Sequence, residues 1–127
     1  MREKDFQTAF NRWCKYKYQG SGVFELKLVK GRSLPFNALE EHQKRALFLT
    51  QTSQIIHKIP DAGYQNPFDS FKLEKIPAWV VVMFYERGKK DFYLVSIDAW
   101  IEEEKSSPRK SLTEDRAKII GTLGTLQ

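Results

Sequence analysis

The sequence predicts one α/β (α+β) domain with a central mixed sheet flanked by helices, and three observations predict it. An aromatic segment with helical periodicity opens the chain. A strongly β-forming apolar segment, Trp79–Tyr85, occupies the middle, and strand-like and helix-like stretches alternate around it. The 127 residues include 41% hydrophobic and 13% aromatic side chains, enough to enclose one core and too apolar for a disordered chain. A single domain over 1–127 is expected, with its core at about 5–100 and a closing helix at about 111–120.

The elements follow in order. Phe6, Phe10, Trp13 and Lys17 recur at helical spacing between Asp5 and Tyr18, and Glu3 and Gln7 carry the same stripe toward the N-terminus. Gln19-Gly-Ser-Gly22 ends that helix. Val23–Lys30 alternates as a strand, with Phe24, Leu26 and Leu28 on one face and Val23, Glu25, Lys27 and Val29 on the other. Gly31–Pro35 reads as a turn, and Pro35 suits the start of a helix over Phe36–Thr50. On that helix Leu39, Gln43, Ala46, Leu47 and Thr50 share a face.

Ile55–Ile59 is a short strand stopped by Pro60, and Asp61–Asn66 is a loop leading into Pro67-Phe-Asp-Ser-Phe71. Trp79–Tyr85 suits a central strand covered on both faces. Arg87-Gly-Lys-Lys90 turns the chain into a hairpin partner at Phe92–Ile97. Glu102–Glu104 and Ser106-Ser-Pro108 read as a polar connection, and Ser111-Leu-Thr-Glu114 as a capping box opening the last helix to Ile120.

Charge and cysteine usage bound the function. The formal net charge is +5, with 21 Lys+Arg against 16 Asp+Glu, which permits a polyanionic partner without requiring one. Cys14 is the only cysteine, so no internal disulfide forms, and His42 and His57 make no zinc-ligand pattern. A reducing, cytoplasmic setting is expected. No apolar run approaches the roughly 20 residues of a membrane span, and no apolar run follows the charged start, so neither a membrane partner nor a secretory leader is expected.

The residues that carry chemistry begin with Glu25 and Lys27, two apart on one strand face and within reach of a shared ligand. Such a pair serves phosphodiester hydrolysis: Glu25 supplies an oxygen to a hard cation such as Mg²⁺, and Lys27 orients a water or neutralises phosphate charge. The alternative is a surface ion pair of little energetic weight. Magnesium generally takes more than one carboxylate, and Asp69 and Asp61 are the candidates. Asp69 lies among Pro67, Phe68 and Phe71, which anchor its local chain, whereas Asp61 equally suits a turn. Gln43, on the inward helix face, would bond either a metal-bound water or Lys27, or else the backbone. Ser21, His57 and Asp61 offer a hydrolase triad on paper, but no nucleophile-elbow sequence accompanies them.

Glu25-Leu-Lys27, followed by a helix reading Leu39-Glu-Glu-His-Gln-Lys-Arg-Ala-Leu47, resembles the PD-(D/E)xK nuclease superfamily, in particular the RecU-like and archaeal Holliday junction resolvases. The resemblance implies a restriction-endonuclease-like fold and a Mg²⁺- or Mn²⁺-dependent endodeoxyribonuclease acting on DNA, branched DNA included, as a homodimer. It implies Glu25 and Asp69 as metal ligands with the Leu26 backbone carbonyl, and Lys27 and Gln43 as catalytic. Glu3 or Asp61 would be a further ligand, and Lys15, Lys17, Lys30, Arg32, Lys44 and Arg45 would hold phosphates. The family's aspartate ordinarily precedes the Glu-x-Lys strand; here no aspartate lies between Asp5 and Asp61, so Pro67-Phe-Asp69 stands in for it from later in the chain. The rival readings are a non-catalytic nucleic-acid- or protein-binding module on the same fold, and a structural protein of a virus or mobile element.

Overall fold

The computed structural model describes residues 1–18, 20–52, 56–58, 70–72 and 76–126. In chain order the elements are α1 (Glu3–Lys17), β1 (Val23–Lys30), β2 (Ser33–Pro35), a 3-10 turn (Phe36–Ala38), α2 (Glu41–Thr52), β3 (Ile56–Lys58) and β4 (Ser70–Lys72). After these come β5 (Ala78–Tyr85), β6 (Asp91–Ser96), α3 (Ile97–Ser106), β7 (Ser111–Thr113), α4 (Glu114–Ile120) and β8 (Thr122–Thr125).

A strand as apolar as Ala-Trp-Val-Val-Val-Met-Phe-Tyr is stable only with neighbours on both edges and cover on both faces. β5 has all of these. The main sheet runs β1-β5-β6-β8, with β1 parallel to β5 and the remaining neighbours antiparallel. Val80, Val82 and Phe84 point into a core shared with Tyr93, Val95, Leu47 of α2, Trp100 of α3 and Ala117 of α4. Val81 and Met83 point the other way, against Phe6 and Phe10 of α1 and against Phe92 and Leu94. The expected mixed sheet with helices on both faces is therefore the architecture: one helix on one side, three on the other. No helix among the described residues is long and apolar enough to cross a membrane.

Several local expectations are corrected. The buried stripe of α1 is Phe6 and Phe10 with Ala9, Trp13 and Cys14, whereas Glu3, Gln7 and Lys17 are exposed. The helix expected from Phe36 starts at Glu41. Ser33–Pro35 instead pairs antiparallel with β7, and Phe36 donates its N–H to the Lys110 carbonyl (3.0 Å) while its ring meets Trp100 edge-on at 5.5 Å. The aromatic packing holds the chain here, and α2 begins only after Leu39 is buried. On α2, Ala46 is exposed.

Glu102–Glu104 is not a connection but the middle of α3. Ser96 caps that helix by accepting from the Ala99 N–H (3.1 Å), and Ile97 and Trp100 are its buried face. Thr113, rather than Ser111, caps α4 by accepting from the Arg116 N–H (3.2 Å). β8 was not expected. Its Gly124 lies over the Phe92 ring, where an added Cβ would come within 2.4 Å, so a side chain there would displace a core aromatic.

Two nearly buried carboxylates tie the α3–α4 side together. Glu103 accepts from Arg116 Nε (2.7 Å) and Nη2 (2.8 Å), and these bonds, followed by the charge of Arg116, hold its carboxyl below the usual range despite partial desolvation. For Glu114 burial is the largest influence and pushes upward, but bonds from Lys89 and the Tyr93 hydroxyl (3.1 Å) outweigh it together and leave the carboxyl lowered. Burial, then the bond to Glu114, pushes Tyr93 up to about 12.

Phe10, at 1% exposure and in edge contact with Phe24 and Phe92, is a stringent test of the α1 layer. Phe10→Ala should cost about 3–5 kcal/mol in denaturant unfolding. Both glutamates are depressed, so their stabilisation is present above the ordinary glutamate pKa of about 4.3 and is lost as pH falls through the lower folded values. Glu103→Gln should lower the melting temperature near neutral pH and flatten its acid decline.

Candidate functional site

Residues facing each other across neighbouring strands share a side of the sheet. Glu25 pairs in register with Val80 and Lys27 with Val82, so both point to the face that α2 covers. Phe24, Leu26 and Leu28 pack toward α1 on the opposite face, as the alternation predicts. Among the described residues β1 is the terminal strand of the sheet. Val23 donates its N–H to the Pro77 carbonyl at 2.9 Å, which directs the backbone groups of Val23, and with it those of Glu25 and Lys27, toward β5. By the pleat, the carbonyls of Phe24, Leu26 and Leu28 then turn to the sheet's outer edge.

Gln43, in the first turns of α2, closes the arrangement. Its Nε2 donates to Glu25 Oε1 (3.0 Å), while its Oε1 accepts from Lys27 Nζ (3.3 Å) and from the Glu40 N–H (3.0 Å). Only this orientation of the amide is satisfied: reversed, its NH₂ would face two donors and its oxygen a carboxylate. Lys27 Nζ also lies 3.7 Å from Glu25 Oε1, and the two side chains are 16% and 34% exposed. Glu25 Oε1 is thus committed to the protein. Oε2 has no hydrogen-bond partner among the described residues, which leaves it for a ligand.

The donor chemistry suits a hard cation in two respects, a carboxylate oxygen and a strand-edge carbonyl. Among the described residues no group of three or more His, Cys, Asp or Glu side chains converges. Asp69 and Asp61 both lie outside the described residues. Glu3 is exposed at the start of α1, the helix on the opposite layer, and is not brought to Glu25.

The basic candidates separate into two kinds. Lys15, Lys17, Lys30, Arg32 and Arg45 are exposed, and Lys15 lies 5.7 Å from the ring centre of Tyr16. Lys44 is held instead by Glu41 (2.8 Å) and Glu104 (2.9 Å), and its ammonium pKa is raised, first by the bond to Glu41 and then by that to Glu104. It braces α2 against α3 rather than standing free for phosphate. Glu41 precedes it by three residues and was visible in the sequence; Glu104, 60 residues on, carried no such signal. Gln43 takes both of its expected partners, Lys27 and the backbone, the latter at the Glu40 N–H, while its bond to Glu25 carried no signal in the sequence.

Gln43→Ala removes three hydrogen bonds at a partly buried position. It should destabilise the fold by about 1–2 kcal/mol in denaturant unfolding, with α2 the first element to lose amide-exchange protection. No protein-family model, curated protein or solved structure matches the chain, so the assignment of this site rests on its own residues.

Proposed function

We propose that the protein is a Mg²⁺- or Mn²⁺-dependent endodeoxyribonuclease of the PD-(D/E)xK kind, with Glu25, Lys27 and Gln43 at its centre. The observation that carries this reading is the three-way bonding of Gln43, which locks a carboxylate and an ammonium side by side on a terminal strand. An idle surface pair has no need of a buried-side amide to hold it.

In this reading Glu25 and the Leu26 carbonyl hold the cation, with Asp69 as the further ligand and Asp61 as its substitute. The bound metal supplies Lewis-acid stabilisation of phosphate charge. Lys27 presents its ammonium to the attacking water and to the negative charge that grows on the phosphate, from a position fixed by Gln43 before substrate arrives. Gln43 acts through these two groups and fixes their spacing. Lys15, Lys17, Lys30, Arg32 and Arg45 provide phosphate contacts, branched DNA is the proposed substrate, and a homodimer acting in a cytoplasmic setting would cut paired strands.

The rival is a binding module on which Glu25 and Lys27 do no chemistry. The two readings separate cleanly. The nuclease should nick supercoiled and branched DNA with Mg²⁺ or Mn²⁺ and stop on chelation, and Lys27→Ala should lower the rate by about 10²-fold or more while circular dichroism and melting stay close to wild type. DNA binding with no metal-dependent cleavage, or full activity in Lys27→Ala, would establish the binding module instead.

A further inference from the structure

Around the end of α3 the chain runs Ser106-Ser-Pro-Arg-Lys110 and then enters β7 and α4. This turn bounds a hollow of about 520 Å³, lined among others by Ser107, Arg109, Ser111, Thr113 and Arg116. Ser107, Pro108 and Arg109 also wall a second hollow of about 440 Å³ that continues past Lys110 to Asn37 and Phe36. The two share Ser107, Pro108 and Arg109 as a common wall and are treated together as one depression.

Its polar lining is dominated by donors. Ser107 Oγ accepts from the Arg109 N–H (3.1 Å) and Thr113 Oγ1 from the Arg116 N–H (3.2 Å), so each hydroxyl keeps its own proton to give. Glu103 takes Nε and Nη2 of Arg116 and spends both its oxygens doing so, which orients the guanidinium and leaves Nη1 available. Arg109 and Lys110 are exposed and have no carboxylate partner among the described residues. Lys44, by contrast, is neutralised by Glu104 at the wall of the second hollow. Asp115 is the one lining carboxylate not bound to a cation among the described residues, and it opposes two free positive charges.

We infer that this depression is a binding track for the phosphodiester backbone of a nucleic acid, with Arg109 and Lys110 as its charged contacts and the Ser107 and Thr113 hydroxyls as supporting donors. Positive charge with hydroxyl donors is the recurrent chemistry of sugar–phosphate contact. Two hollows that share a wall suit successive phosphates of a polymer better than one compact anion, and the exposed Pro108 offers apolar surface to the sugars. Lys44, the residue after Gln43 on α2, is bonded to Glu104 of the second hollow. The inference shares the nucleic-acid partner of the proposed nuclease but not its chemistry.

The test is fluorescence anisotropy with a labelled duplex of about 20 base pairs, in EDTA so that no hydrolysis intervenes, across a salt series. Arg109→Ala/Lys110→Ala should weaken binding about tenfold and reduce the slope of log K against log salt by about one to two. The charge-matched Arg87→Ala/Lys90→Ala, in the turn between β5 and β6, should change both less. Equal losses in the two double variants, or no binding by the wild type, would overturn the track. Wild-type cleavage with Mg²⁺ is scored separately, so a non-cleaving protein that still loses binding through Arg109 and Lys110 would refute the nuclease and keep the track.

Discussion

The in-register parallel pairing of β1 with β5 is the constraint on which the rest depends. β5 is apolar on both faces, so it must be the strand that everything else covers, and it lends its pleat to its neighbours. Once Glu25 is opposite Val80 and Lys27 opposite Val82, neither polar side chain can choose its face. A slip of one residue would drive Glu25 and Lys27 into the layer of Phe6 and Phe10 and bring Leu26 and Leu28 beneath α2. Burying two charges without partners costs several kcal/mol each, which forbids that slip. The hydrophobic pattern therefore fixes the direction of Glu25 and Lys27 indirectly, by making every other register untenable.

Within that frame the site was legible in unequal parts. The strand alternation of Val23–Lys30 predicted which side chains share a face, because a period of two survives any sheet context. Gln43 was legible as an inward polar group among Leu39 and Leu47, and a half-buried amide has to find partners. Which backbone group it takes was not legible, nor was the loss of Lys44 to Glu104. The second depends on how far α2 and α3 approach each other, which short-range patterning does not encode.

The misread elements share a cause. α3 was hidden because Glu102–Glu104 looks like a solvated link, although Ser96 and the Ile97–Trp100 spacing mark a capped helix with one apolar side. β2, β7 and β8 are three or four residues long, too short for periodicity to show, and they form because longer elements bring their backbones together. Pro35 illustrates the ambiguity: its fixed φ suits a helix start and an extended strand end equally, and the burial of Phe36 decides for the strand.

The outward carbonyls of Phe24, Leu26 and Leu28 have another consequence. A terminal strand with an open row of backbone donors and acceptors invites any passing β-strand to extend the sheet, and a strand added there would cover the Leu26 carbonyl. Glu25, Lys27 and Lys30 interrupt the apolar run along β1, so an incoming strand would have to set its own residues against fixed charges. The groups assigned to chemistry thus also act as guards against self-association, and neutralising them together would favour aggregation along this border even in a variant that folds normally.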